Sequence, residues 1–154
     1  MNELVSPVLY LIVCAAPPAQ HTTEVLSHLQ AAGWDVCVIA TPQASLWMDV
    51  QALAKHSGHV VRTHYKLPWE TDPLPRADAM LVMPVTFNTI NKWAAGISDT
   101  LTLGLLTEGI ELGLPLCGVA VYKCGSGGAF GRSVKKLREA GQVSVVAQKK
   151  PDFS

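Results

Sequence analysis

The sequence predicts a three-layer α/β fold in which a six-stranded parallel sheet lies between two layers of helices. Short apolar runs, each suited to one buried strand, recur along the 154 residues. Segments with apolar residues at helical spacing separate these runs, and no internal repeat is visible. The predicted strands are residues 8–14, 35–40, 59–62, 79–83, 116–121 and 143–146.

The first strand and helix are predicted to form a βα unit. Residues 8–14 are apolar throughout, as in a strand covered on both faces. After a turn at 15–21, Thr22 leads into apolar residues at helical spacing up to Ala32, and Gly33 is placed to end the helix.

The second unit has a strand at 35–40, a turn at 41–47 and a helix that Ser57 and Gly58 close. Ser45 is a candidate N-cap for that helix, and also a candidate anion ligand, because helix N-termini bind anions. A short third strand at 59–62 precedes a loop at 63–75 that contains three prolines. Loops of this length in compact domains are commonly functional or interfacial, which we expect here.

The second half of the chain continues the alternation. The strand at 79–83 ends at Pro84 and a helix follows it, and a further helix at 101–112 ends at the Gly113–Pro115 break. After the strand at 116–121, we interpret the glycine-rich residues 125–128 as a flexible linker or lid, because the run lacks the spacing of a phosphate-binding loop. A helix at 133–140 and the strand at 143–146 complete the fold.

Composition restricts the classes of function. Twelve basic and twelve acidic residues cancel, and only 16% of residues are charged, which argues against nucleic acid and anionic membranes as partners. The apolar segment 8–16 is too short to span a bilayer. A hydrophobic content of 49% favours buried subunit interfaces, so we expect one domain, residues 1–154, that assembles into an oligomer.

The four cysteines are interpreted as small buried hydrophobes of a reduced, cytoplasmic protein. They lie far apart, without a CxxC pair, so we predict neither a disulfide nor a metal site.

Polar residues follow the fourth predicted strand directly. Thr86, Asn88 and Thr89 stand where a parallel strand ends and a helix begins, which is where α/β sheets bind phosphorylated cofactors. The alternative is that Thr86 or Asn88 only caps the helix.

The run PVTFNTINKWAAGISDTL, residues 84–101, resembles the PASANTIAKIAAGIADNLL signature of the homo-oligomeric flavin-containing cysteine decarboxylases. The proline, Asn88–Thr89, Lys92, Ala95–Ile97, Asp99 and Leu101 all fall in register. The resemblance extends over about residues 8–115 and implies a Rossmann-like flavoprotein fold with FMN bound near a subunit interface of a homotrimer, or of a dodecamer built from trimers.

The resemblance also implies a set of FMN-binding residues. In the family, a glycine-serine pair follows the first strand and holds the phosphate, whereas Ala15 and Ala16 stand here. Backbone N–H groups, or Thr22 and Thr23, would then replace the serine. The implied cofactor residues are Ala16, Thr41, Ser45, Thr86, Phe87, Asn88, Thr89, Ser98 and Asp99.

The family places an essential histidine before the fourth strand, and His64 is the candidate for it, with His56 and His59 as alternatives. A solvated loop histidine is the other interpretation. The family's proline-x-methionine-asparagine motif, which holds the substrate carboxylate, is absent from residues 121–130, where Lys123 is a candidate replacement.

The activity that the resemblance implies is oxidative decarboxylation of a C-terminal peptidyl-cysteine or a phosphopantothenoylcysteine-like substrate. The flavin takes a hydride from the carbon that bears the thiol, and the carboxylate then leaves as carbon dioxide. Two alternatives stay open, a non-catalytic FMN-binding or regulatory subunit and a flavin prenyltransferase.

Overall fold

The computed structural model describes residues 5–122 and 128–149, and it contains a parallel sheet between two helical layers. The strands are β1 Val8–Val13, β2 Asp35–Ala40, β3 Ala79–Val85, β4 Leu116–Tyr122 and β5 Val143–Lys149. Their order across the sheet is β2-β1-β3-β4-β5. The helices are α1 Thr22–Ala31, α2 Pro42–Ser45, α3 Val50–Ser57, α4 Phe87–Ala94, α5 Leu101–Glu111 and α6 Gly128–Arg138, with a short 3-10 helix at Pro17–His21.

The three-layer α/β prediction is confirmed, but the predicted number of strands is wrong. In the described residues the sheet has five strands, and the predicted strand at 59–62 contributes only an isolated bridge between Ile39 and Arg62. The Ser57 side chain explains the difference, because it donates to the carbonyl of His59 and accepts from its N–H. The His59 N–H therefore does not donate to a carbonyl of β2.

The sheet separates two hydrophobic clusters. In β1, Leu9, Leu11 and Val13 face the layer of α1 and α3, whereas Tyr10 and Ile12 face the layer of α4, α5 and α6. Every residue of β1 is buried, as the continuous apolar run predicts.

The loop after Arg62 covers part of the sheet in place of a helix. Its residue Leu74 is buried in the cluster that also contains Cys37, and the Tyr10 hydroxyl donates to the Pro75 carbonyl at 2.5 Å. Burial raises the pKa of Tyr10 to about 12 and also raises the pKa of Cys37 to about 12. Both groups therefore stay neutral beneath the loop at ordinary pH.

Two predicted helix starts need correction. Ser45 does not cap the helix that follows, because it is the last residue of α2 and its hydroxyl donates to Pro42. Asp49 is the N-cap of α3 instead and accepts a hydrogen bond from Ala52. In the predicted linker at 125–128, Gly128 begins α6, while residues 125–127 lie outside the described part of the chain.

No helix in residues 5–122 and 128–149 has both the length and the apolar content that crossing a bilayer requires.

Candidate functional site

A cleft of about 370 Å³ lies at the carboxyl edge of the sheet, where β1, β2 and β3 end. We call it the carboxyl-edge cleft. Its volume falls within the range of about 300–1,000 Å³ of small-molecule sites. The lining residues are Cys14, Ala15, Thr41, Pro42, Gln43, Thr86, Asn88, Thr89, Lys92, Thr100 and Leu103.

A hydrogen-bonded cluster forms one wall of the cleft. Thr86 is the N-cap of α4, and its hydroxyl accepts from the Thr89 N–H at 3.2 Å. The Thr89 hydroxyl accepts from Thr86 at 3.1 Å and from the Cys14 thiol at 3.5 Å. Burial raises the pKa of Cys14, which keeps it as a thiol and leaves this wall uncharged.

The end of β2 supplies the facing hydroxyl. Thr41 is the N-cap of α2 and accepts from the Ala44 N–H at 3.1 Å, which leaves the Thr41 O–H able to donate to a ligand. The Asn88 side chain is exposed and has no hydrogen bond within the described residues, so both ends of its amide are available.

Lys92 provides the charge of the cleft. Among the described lining residues it is the one side chain with a formal charge, and its Nζ lies 2.8 Å from a carboxylate oxygen of Asp99. Both side chains are partly exposed, so the pair contributes little to stability, about 0–1 kcal/mol. The ion pair holds the ammonium group of Lys92 beside the cleft.

This donor set suits FMN. Hydroxyl, amide and ammonium groups can bind phosphate and carbonyl oxygens, while Ala15 and Pro42 offer apolar surface for a planar ring. No group of three or more His, Cys, Asp or Glu side chains suited to a metal ion occurs in the described residues.

The structure brings together four of the nine predicted cofactor residues, namely Thr41, Thr86, Asn88 and Thr89. The Ala16 N–H donates to the Cys14 carbonyl, and it is its neighbour Ala15 that lines the cleft. Thr22, considered as a phosphate ligand, is buried and donates to Ala19, whereas Thr23 is exposed.

The other predicted cofactor residues lie outside the lining. Ser45 is occupied by its bond to Pro42, and the Ser98 hydroxyl donates to Thr107. Asp99 acts on the cleft through Lys92. Phe87, half exposed, stacks on Phe130 with ring centroids 4.4 Å apart.

The candidate histidines are separate from the cleft within one copy of the chain. His64 is exposed, and its Nδ1 lies 2.8 Å from the Thr63 hydroxyl. His59 pairs with Asp35 at 2.8 Å, and His56 lies 3.3 Å from Ser27. The substrate candidate Lys123 lies outside the described residues.

Seven of the lining residues were not among the predicted ligands: Cys14, Ala15, Pro42, Gln43, Lys92, Thr100 and Leu103. Lys92 carried a signal, since it falls in register with the 84–101 signature. The sequence contains no comparable signal for Thr100 and Leu103, because they reach the cleft only through the turn between α4 and α5.

A family model described as Flavoprotein matches residues 2–120. A comparison with curated protein sequences finds no match.

Solved structures similar to this chain include the FMN-dependent cysteine decarboxylase SpaF. It has 24% sequence identity and a TM-score of 0.75, and the alignment covers 92% of this chain and 83% of SpaF. AnUbiX in complex with FMN and dimethylallyl pyrophosphate matches at 16% identity and a TM-score of 0.76, covering 93% of this chain and 77% of AnUbiX. A dodecameric FMN-dependent UbiX-like decarboxylase from Escherichia coli matches at 17% identity and a TM-score of 0.74, covering 95% and 81%. At these identities the likeness shows the shared fold.

Proposed function

The chain belongs to the flavoprotein family, and from that premise we propose that it binds FMN in the carboxyl-edge cleft and oxidatively decarboxylates a cysteine-containing substrate. The observation that carries the proposal is that the most family-like stretch of the sequence, residues 84–101, supplies Thr86, Asn88, Thr89 and Lys92 to one cleft.

Each side chain has a distinct part in binding. Thr41 and Asn88 would donate hydrogen bonds to FMN oxygens, and Lys92 would supply positive charge for its phosphate. Thr86 and Thr89 fix the start of α4, so their hydroxyls meet the ligand without reorganisation.

When bound, FMN supplies a two-electron acceptor for the carbon that bears the substrate thiol. The chain itself must orient the substrate, keep water from the reacting carbon and remove the thiol proton. For the proton we propose His64, because histidine is the side chain that most often serves as a general base. Because His64 does not line the cleft in one copy, a neighbouring copy or a movement of its loop has to bring it to the substrate.

His64→Asn is expected to abolish turnover while the protein stays yellow, because the amide cannot take the thiol proton and the cleft is unaltered. Steady-state assays and absorbance spectra of the variant measure both effects. His56→Asn is the matched control, and unchanged turnover in His64→Asn would remove His64 from the reaction.

A non-catalytic FMN-binding or regulatory subunit is the second candidate function. The absence of any asparagine in residues 121–130 favours it, because the family's carboxylate ligand is missing there. Lys123 is the proposed replacement in the catalytic case.

We further propose that the chain works as a homotrimer or a dodecamer built from trimers. Large apolar side chains remain exposed in the described residues, among them Trp69 at 78% and Leu46 at 75%.

The free thiols of Cys14, Cys37 and Cys117 suit the cytoplasmic location that we propose.

Absorbance of the purified protein, followed by incubation with a panel of peptides that end in cysteine, tests both functions. Oxidised-flavin bands together with a peptide mass loss of one carbon dioxide and two hydrogens support the decarboxylase. Flavin bands without mass loss support the non-catalytic subunit. A colourless protein that does not take up added FMN contradicts both.

A further inference from the structure

Gly104 is the fourth residue of α5, inside the helix, where a glycine weakens a helix relative to alanine. Its φ is not positive, so the backbone conformation does not require a glycine at this position. A Cβ atom at this position would collide with the hydroxyl of Tyr65 and lie 2.9 Å from its Cζ and 3.2 Å from its Cε1. The missing side chain therefore makes room for Tyr65.

The hydroxyl group of Tyr65 is fixed by a hydrogen bond. Its hydroxyl donates to the Ser98 carbonyl at 3.2 Å, whereas the residue as a whole is 55% exposed. The same loop is also attached by the ion pair between Arg62 and Asp72 and by buried Leu74. Between these attachments, the Tyr65 side chain contacts α5 at Gly104.

The contact involves a residue of α5 that adjoins residues lining the carboxyl-edge cleft. Gly104 directly follows Leu103 and lies one helical turn after Thr100, both of which line the cleft. His64, the proposed base, directly precedes Tyr65. A loop that stays attached here remains beside the mouth of the cleft.

We propose that the Tyr65–Gly104 contact holds the loop of residues 63–75 beside the mouth of the cleft and slows the release of FMN. Tyr65 is then a positioning residue, which acts through the loop and does not touch the flavin. This inference rests on the proposed FMN binding.

The test compares Tyr65→Ala, Gly104→Ala and the double variant in the full chain. FMN release is followed by the recovery of flavin fluorescence after dilution. Attachment of the loop is followed in FMN-free protein by the rate of trypsin cleavage after Lys66. Each single variant is expected to raise both rates about tenfold, because each loses the hydrogen bond to Ser98 together with the packing of the ring on Gly104.

The double variant identifies the contact. All three atoms nearest to the added Cβ belong to Tyr65, so the methyl group that Gly104→Ala introduces has little to collide with once the ring is removed. The double variant should therefore match Tyr65→Ala and show no further increase in either rate. Tyr65→Phe, which keeps the ring and loses the hydroxyl, should fall between Tyr65→Ala and the natural chain.

Thr71→Ala is the control, since it alters an exposed residue of the same loop that lies outside the contact and away from the Lys66–Leu67 bond that trypsin cleaves. Additive effects in the double variant, or wild-type rates in Gly104→Ala, would overturn the contact. Faster trypsin cleavage with unchanged FMN release would overturn the role in release. A chain that binds no FMN would instead overturn the proposed function, and the trypsin rates would still report on the contact.

Discussion

At the scale of single residues, the proposed place of Lys92 at the phosphate predicts a difference between FMN and riboflavin, because the two ligands differ only in the phosphate. Lys92→Met is expected to weaken FMN binding about tenfold and to leave riboflavin binding within about twofold, since one charge–phosphate attraction in a partly exposed site is worth roughly 1–2 kcal/mol. Fluorescence titration with each ligand measures the difference, and Lys92→Arg serves as the charge-preserving control. An equal loss for the two ligands would contradict a role at the phosphate.

The raised pKa of Tyr10 leads to a second prediction at this scale. Its pKa, raised to about 12 by burial, means that the folded state keeps the phenol proton while the unfolded chain loses it near pH 10. The stability that this group contributes is complete below pH 10 and is lost as the pH rises toward 12.

Tyr10→Phe keeps the ring and removes the bond to Pro75, which should cost about 1 kcal/mol at pH 8. Because phenylalanine has no proton to lose, the difference in unfolding free energy between the natural chain and the variant should shrink between pH 10 and pH 12. Urea denaturation at a series of pH values measures it, and the subtraction cancels the other titrating groups. A difference that is constant with pH would contradict the raised pKa.

At the scale of elements, the elbow between β3 and α4 could be predicted from the sequence because its signals are local. Pro84 lies next to the last residue of β3, and Thr86 caps the next helix, as predicted. The predictions for Ser45 and for the strand at 59–62 were wrong for the opposite reason. In both places a serine hydroxyl bonds to a nearby carbonyl, from Ser45 to Pro42 and from Ser57 to His59. The spacing of apolar residues does not reveal such hydrogen bonds.

Thr86→Ala should lower the unfolding free energy by about 1 kcal/mol, because α4 loses its N-cap bond to Thr89. It should also weaken FMN binding, since the same hydroxyl lines the cleft. Thr86→Ser, which keeps the oxygen, is the matched control in denaturation and in FMN titration. Full stability in the alanine variant would show that the cap is not needed.

At the scale of the whole molecule, the exposed apolar surface predicts assembly. Trp69→Asp is expected to shift the chain toward monomers, because a carboxylate in an apolar interface loses its hydration without gaining a partner. Light scattering after size exclusion measures the mass, and Thr23→Asp, on an exposed turn of α1, is the control. An unchanged mass for Trp69→Asp would place Trp69 outside the interface.

The division of the sheet into two faces also limits how the chain can diverge over generations. A substitution at Leu26 or Leu53 disturbs the layer of α1 and α3, two helices that contribute none of the described side chains lining the cleft. A substitution at Trp93 or Leu106 displaces α4 or α5, and with them the cleft wall. Substitutions at Leu26 or Leu53 should therefore lower stability with little effect on the ligand, whereas substitutions at Trp93 or Leu106 should change both together.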